Sequence, residues 1–191
     1  VYNCALSKEL SGAEFMSTIP ASVGGAVYMN AGCFGAEIKD VIKRVWATDG
    51  KEERVFEKSD LDLGYRKSVF QYNGFVITKA EFNLFPSSAK YIKKLAAELQ
   101  TAKRMSQPLE YFSAGSVFKR PDGAFAGQLI DRCGLKGLRV GDAEVSSKHA
   151  GFIINKGHAS SNDVLTLIEI VQNKVKDAFG VELQLELKLL G

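Results

Sequence analysis

The sequence predicts an α+β protein in two parts, divided near residue 106. Three observations carry this. Apolar and polar residues alternate over Asp40–Thr48 and return over Glu53–Phe56, with Asp49-Gly50 between them as a hairpin signal. Residues from about Ala89 to Met105 place Ile92, Leu95, Ala96 and Leu99 on one helical stripe. Composition then changes at Ser106-Gln107-Pro108, which marks a boundary between independent stretches.

Taken in order, Val1–Leu10 has helical spacing with Leu6 and Leu10 apolar, and Ser11-Gly12 ends it. Glu14-Phe15-Met16 is a short turn stopped by Pro20. A nearly uncharged stretch follows, Ile19-Pro20-Ala21-Ser22-Val23-Gly24-Gly25-Ala26-Val27-Tyr28-Met29-Asn30-Ala31-Gly32. Glycine admits close backbone approach, and Ser22 with the N–H groups of Val23, Gly24 and Gly25 suits a helix start facing an anion or a polar ring edge. A tight turn and a small-residue core helix explain the same spacing equally well. Gly64–Phe70 is irregular, and Phe75–Phe85 reads as a long strand.

In the second part, Tyr111–Asp122 is loop-rich. Ala124–Cys133 is helical with Phe125, Leu129 and Ile130 inward, and Gly134 ends it. Strands follow at Arg139–Val145 and Phe152–Ile154. Ser160-Ser161-Asn162-Asp163 supplies cap residues for a helix to Phe179, with Val164, Leu167, Ile168, Val171 and Val175 inward and Gly180 as its stop. Val181–Leu190 alternates as a last strand, with Glu186 on the face opposite Leu183, Leu185 and Leu187.

Composition narrows the function. The chain has 191 residues, 46% hydrophobic and 25% charged, with a net charge of +3. That excess suits an anionic small ligand, while the scattered Lys and Arg residues argue against nucleic acid. No apolar run is long enough to span a bilayer. Cys4, Cys33 and Cys133 are far apart and odd in number, which predicts no disulfide framework and a reducing, cytoplasmic setting. His149 and His158 have no metal-ligand spacing, so no metal is expected. Three polar residues stand out. Arg66 offers a fork for a carboxylate or phosphate, or a plain surface charge. Ser116, among small residues, offers a cap or a proton donor, and no nucleophile elbow surrounds it. Glu186 is either solvent face or a carboxylate at a cleft.

Together these residues resemble the UDP-N-acetylenolpyruvoylglucosamine reductase (MurB) family. The resemblance lies in Ile19–Gly32, Gly64-Tyr65-Arg66 and Ser113-Ala114-Gly115-Ser116-Val117-Phe118-Lys119-Arg120-Pro121. It continues in Gly134-Leu135-Lys136-Gly137, Val145–Phe152 and the ending from Gly180 through Glu186. The compact loop after Gly32 and Glu110-Tyr111-Phe112-Ser113 look like the shorter, type II branch. The resemblance implies that residues 1–105 form the second lobe of a PCMH-type FAD-binding domain whose first lobe is absent. Residues 106–180 would then be a smaller α+β substrate-binding domain, and 181–191 a terminal strand returning toward the FAD-binding domain.

It implies a flavoprotein of peptidoglycan synthesis in which NADPH reduces FAD and hydride passes to the enolpyruvyl group of a UDP-sugar. Ser116 would be the general acid, and Arg66 and Glu186 would stabilise the enol-like intermediate. Tyr65 and Arg120 would contact substrate, and Ser22, Gly24, Gly25 and Asn30 would belong to the flavin site. No nucleic acid, membrane or metal is implied, and a monomer is expected. Ala21, Phe112 and Asp142 stand where the family usually has Gly, Pro and a second Gly. The chain opens on Val1 without the family's pyrophosphate-binding loop, which also allows a non-catalytic sugar-nucleotide-binding fragment.

Overall fold

The Asp49-Gly50 hairpin is the organising turn of the first part. The Asp49 carboxylate accepts the N–H groups of Lys51 (2.9 Å) and Glu52 (3.0 Å), and Gly50 adopts φ 89°. Thr48 pairs with Glu53, so the loop spans residues 49–52 rather than the two residues of the tightest hairpins. In the computed structural model, which describes residues 1–189, this hairpin belongs to a unit running from Val1 to Lys103. A second unit starts at Arg104.

The first unit opens with helix α1 (Tyr2–Ser7), strand β1 (Leu10–Ser11) and a 3₁₀ turn over Glu14–Thr18. The expected helix to Leu10 thus stops early, because Leu10–Ser11 pairs with Phe85–Pro86 instead. Helix α2 (Val23–Tyr28) occupies the glycine stretch. The ribbon of β2 (Gly32–Cys33) and β3 (Ala36–Glu37) leads into one helical turn, α3 (Ile38–Val41). That turn is where a strand was expected from Asp40. The Asp40 carboxylate accepts the Glu37 N–H as half of a capping box, and it holds residues 38–41 helical.

Strands β4 (Ile42–Thr48), β5 (Glu53–Glu57) and β6 (Val76–Phe82) form an antiparallel sheet with β4 central. Val45 faces Phe56 on one side and Ala80 on the other. Strand β6 ends at Phe82, short of the expected Phe85, and β7 (Phe85–Pro86) joins β1. Helix α4 (Ala89–Ser106) follows. Phe15, Val27, Ile38, Ile42, Val45, Ala47, Leu61 and Phe70 make this unit's core.

The second unit is built on an antiparallel sheet ordered β8 (Phe112–Ser116), β11 (Phe152–Asn155), β10 (Ala143–Val145), β9 (Arg139–Val140). Helices α5 (Ala126–Arg132) and α6 (Ser161–Phe179) supply the remaining apolar face. The loop expected over 111–122 therefore contains a strand, and the strand expected over 139–145 turns back at Gly141, φ 54°. The Ser160 hydroxyl accepts the Asp163 N–H (3.1 Å), the Asp163 carboxylate accepts the Ser160 N–H (2.8 Å), and Gly180 closes α6 at φ 69°.

The last strand expected over 181–190 is largely an extended segment. Among the described residues a bridge joins Leu185 to Phe118, Leu183 is buried, and Leu185 and Leu187 pack on the core. Leu190 lies outside the described residues.

Candidate functional site

The expected site residues divide between the two units. Ser22, Gly24, Gly25, Asn30, Tyr65 and Arg66 lie in the first, and Ser116, Arg120 and Glu186 in the second.

In the first unit Pro20 precedes the helix, and Ser22 caps it by accepting the Gly25 N–H on Oγ (3.0 Å). A Cβ on Gly25 would press to 3.2 Å from that hydroxyl, so the cap itself explains this glycine. Gly24 faces Ile77 of β6 with room for ordinary contact. Beside the helix start is a cavity of about 310 Å³, lined by Met16, Ser17, Ile19, Ser22, Val23 and Gln100 among others. The Ser17 hydroxyl is buried there with no hydrogen-bond partner among the described residues. Sequence reading missed Ser17, and nothing in its local pattern marks it.

Tyr65 and Arg66 form the tip of a tight reversal. Gly64 and Lys67 exchange both backbone hydrogen bonds, at 3.2 and 3.1 Å. Arg66 sits at φ 53°, in the left-handed region that a side chain adopts only when its surroundings impose it. Its guanidinium lies over the Tyr65 ring, 5.0 Å from the centroid, and Nη2 donates to the Gly32 carbonyl (3.5 Å).

Asn30 is fully buried at φ 41°. Its Nδ2 donates to Glu37 (2.7 Å) and to the Gly64 carbonyl (2.8 Å), and its Oδ1 accepts the Lys39 N–H (2.8 Å). Those bonds commit both amide donors to protein groups. The Ser68 hydroxyl and the Gln71 amide both donate to the Tyr28 carbonyl at the end of α2, at 2.7 and 3.0 Å. Gln71 Nε2 also donates to the Arg66 carbonyl (3.0 Å). The glycine helix and the Arg66 turn are thus tied together. Ser68 and Gln71 were absent from the sequence reading, because their partners are backbone carbonyls some forty positions away.

In the second unit Ser116 ends β8 opposite Phe152, exposed, just after Gly115 at φ 87°. The chain then dives inward, and Val117 and Phe118 are buried. The terminal segment runs antiparallel beside it. The Glu186 N–H donates to the Val117 carbonyl (2.9 Å), and the Lys119 N–H to that of Gln184 (2.8 Å). Glu186, half-buried, therefore lies one residue across from Ser116 along the paired backbones. The Arg120 guanidinium stacks on the Phe125 ring, 3.9 Å from its centroid.

Nearby, His149 accepts the Gly151 N–H on Nδ1 (3.1 Å) and meets the Phe152 ring edge-on. Burial holds its imidazole below the ordinary histidine range. The Gly151 carbonyl in turn accepts the Val117 N–H (2.9 Å), so the histidine supports the backbone next to Ser116. Among the described residues no group of three or more His, Cys, Asp and Glu side chains is placed to hold a metal ion, and no helix is long and apolar enough to cross a membrane.

Comparison with known proteins gives these elements a family. Residues 107–190 match the model of the UDP-N-acetylenolpyruvoylglucosamine reductase C-terminal domain. The chain is 51% identical over 189 residues to the UDP-N-acetylenolpyruvoylglucosamine reductase of Agathobacter rectalis, covering 98% of this chain and 60% of that protein. Against the reductase of Pseudothermotoga lettingae the identity is 47%, over 97% of this chain and 66% of that one. The chain thus spans about three fifths of the length of the curated relatives it matches. The crystal structure of UDP-N-acetylenolpyruvylglucosamine reductase (MurB) from Thermus caldophilus superposes with a TM-score of 0.87 at 39% identity, over all of this chain and 68% of that one. With its glycine helix, its Tyr65-Arg66 turn and its Ser116 strand end all inside that match, the chain belongs to the UDP-N-acetylenolpyruvoylglucosamine reductase (MurB) family.

Proposed function

We propose that this chain carries the substrate-reducing machinery of a cytoplasmic reductase that converts UDP-N-acetylglucosamine enolpyruvate to UDP-N-acetylmuramate for peptidoglycan synthesis, using FAD and NADPH. Family membership gives the reaction class. The observation that carries the assignment to these residues is the seat of Glu186 beside Val117 and Ser116. Two residues distant in sequence are carried on neighbouring, paired stretches of backbone.

Under this reading residues 1–105 are the second lobe of a PCMH-type FAD-binding domain, and 106–180 bind the UDP-sugar. The flavin fits the cavity at the start of α2. Met16, Ile19, Val23 and Ala26 suit the apolar part of a ring, and Asn3, Ser22 and Gln100 suit its polar edge. When bound and reduced by NADPH, FAD supplies the hydride. Ser22 would form part of the wall of that cavity, and Gly25, which does not line it, would hold Ser22 in place through its N–H. Asn30 would act from behind it, since its amide is already spent on Glu37 and Gly64.

The residues of the chain then manage charge. Hydride adds to the terminal methylene carbon of the enolpyruvyl group, and the electron pair of that double bond moves to the carbon beside the carboxylate. Arg66 and Glu186 stabilise the enol-like intermediate, the Arg66 fork by polarising the substrate carboxylate. Ser116 Oγ–H gives its proton to the charged carbon, and the serine recovers its proton from water. Tyr65 and Arg120 hold the sugar nucleotide, Arg120 with its plane preset by Phe125.

The test is Ser116→Ala in the flavin-loaded protein. NADPH is expected to bleach the flavin at an unchanged rate, while reoxidation by the UDP-enolpyruvyl sugar slows by about 10²–10⁴-fold. Normal turnover by this variant would remove Ser116 from the role.

A further inference from the structure

The turn that presents Arg66 is held by side chains that bond its backbone and that of the neighbouring helix. Arg66 is a non-glycine residue at φ 53°, and a backbone in that region persists only where neighbours over-determine it. The neighbours here are specific. Of the two carbonyls flanking the Tyr65-Arg66 tip, that of Gly64 is taken by Asn30 Nδ2 (2.8 Å) and that of Arg66 itself by Gln71 Nε2 (3.0 Å). The same Gln71 amide reaches the Tyr28 carbonyl (3.0 Å), where the Ser68 hydroxyl also donates (2.7 Å). Asn30 extends the tie to Glu37 and Lys39. Glu37 ends the ribbon that begins at Gly32, whose carbonyl accepts from the Arg66 guanidinium, and Lys39 lies in the α3 turn that follows.

Holding these carbonyls restrains the outer peptide planes of the turn, and together with the paired Gly64 and Lys67 backbones that closes the turn and restricts the direction of the Arg66 Cα–Cβ bond. A two-point contact with a carboxylate needs such aim. Productive geometry tolerates about 0.5 Å, and a displacement near 1 Å costs roughly a hundredfold.

Resting on the role given to Arg66 above, we infer that Asn30 and Gln71 are positioning residues that aim the Arg66 guanidinium at the enolpyruvyl carboxylate. Gln71 is the sharper probe, because it is only half-buried and its removal spares the packed interior. Asn30 is fully enclosed, and its replacement also strips partners from Glu37 and Lys39.

The experiment compares two ligands on one protein. Titration calorimetry measures the affinity of the full flavin-loaded chain for UDP-N-acetylglucosamine enolpyruvate and for UDP-N-acetylglucosamine, which lacks the carboxylate. Gln71→Met is expected to weaken the enolpyruvyl sugar about tenfold and to leave the plain sugar within twofold. Arg66→Ala is expected to weaken the enolpyruvyl sugar at least as much. Adding Gln71→Met to Arg66→Ala is then expected to change nothing more, since a positioning residue has no effect once its client is gone.

Equal weakening of both sugars, no weakening by Gln71→Met, or additive losses in the double variant would each overturn the inference while leaving Arg66 in place. If Arg66→Ala itself failed to distinguish the two sugars, the role of Arg66 would fall, and this inference with it. Asn30→Ser serves as the second variant. Where it folds, with melting followed by circular dichroism, it must reproduce the carboxylate-selective loss.

Discussion

The turn carrying Arg66 and the strand end carrying Ser116 are held by opposite means. Around Arg66 the fastening is polar and buried. Asn30 and Ser68 are both 0% exposed, and each hydrogen-bonds a main-chain carbonyl some forty or fewer positions away. Around Ser116 the fastening is backbone pairing over an apolar bed. Phe152 and Leu185 pair across from Ser116 and Phe118, and Val117 and Phe118 sink into the core while Ser116 stays outside. The physical lesson is that a residue at positive φ on a reversal needs directed donors to hold it, whereas a residue at the end of a ladder inherits its position from the sheet. The first arrangement is therefore vulnerable to loss of a polar group, and the second to changes of volume.

The largest expected effect is at Asn30. Asn30→Ala deletes three hydrogen bonds from a fully buried position, leaving Glu37 and the half-buried Lys39 N–H without that partner and the Gly64 carbonyl with Lys67 alone. The expected loss is about 2–4 kcal/mol, read as a drop in the melting temperature or in the denaturant midpoint. A loss under about 1 kcal/mol would mean that the turn is held by packing, and the contrast would break. In the second unit the matching probe is one of volume. A Cβ on Gly127, in helix α5, would meet His149 Cε1 at 3.2 Å and the Gly151 nitrogen at 3.3 Å. Gly127→Ala gains about 1 kcal/mol of helix propensity and loses about 1–3 kcal/mol to overpacking, so the net expected loss is about 1 kcal/mol. A gain in urea midpoint would show that the bed beneath Ser116 yields.

The same contrast explains what could be read from the sequence. Helix α6 was legible, its end at Phe179 to the residue, because Ser160, Asp163 and Gly180 are local signals and the apolar stripe repeats. The hairpin at Asp49-Gly50 was legible for the same reason. Arg66 and Ser116 drew notice as polar residues in distinctive surroundings. The network behind Arg66 was not legible, since Asn30, Ser68 and Gln71 find partners through the fold, and one chain carries no record of those pairings. Strand β8 was missed because Ser113-Ala114-Gly115-Ser116 lacks strand propensity, and its pairing with β11 overrides that. The terminal segment erred the other way. Its alternation from Val181 is regular, yet among the described residues it is bonded beside 117–119 at a single bridge, and the leucines alternate because they pack on a core.

The smallest expected effect concerns His149 and sharpens how the bed beneath Ser116 is held. Its Nδ1 accepts the Gly151 N–H, which requires that nitrogen to be unprotonated, and burial opposes the imidazolium, with the Lys136 charge adding to it. In the unfolded chain the imidazole titrates near its ordinary value of 6.5. Below that pH the unfolded chain takes up a proton that the folded chain resists, so stability falls as pH drops from 6.5 toward the lowered folded value. The carboxylates that hold structure through hydrogen bonds, Asp49 to Lys51 and Glu52 and Glu81 to Lys43, titrate lower, so their contribution is lost only in more acid solution. A window just below pH 6.5 therefore isolates the histidine. Denaturant melts across that window are expected to show a decline in stability for the native chain and a flatter profile for His149→Gln, which cannot be protonated. If the two profiles run parallel, the Gly151 backbone beside Ser116 is positioned by the sheet alone, and the neutral imidazole is incidental to it.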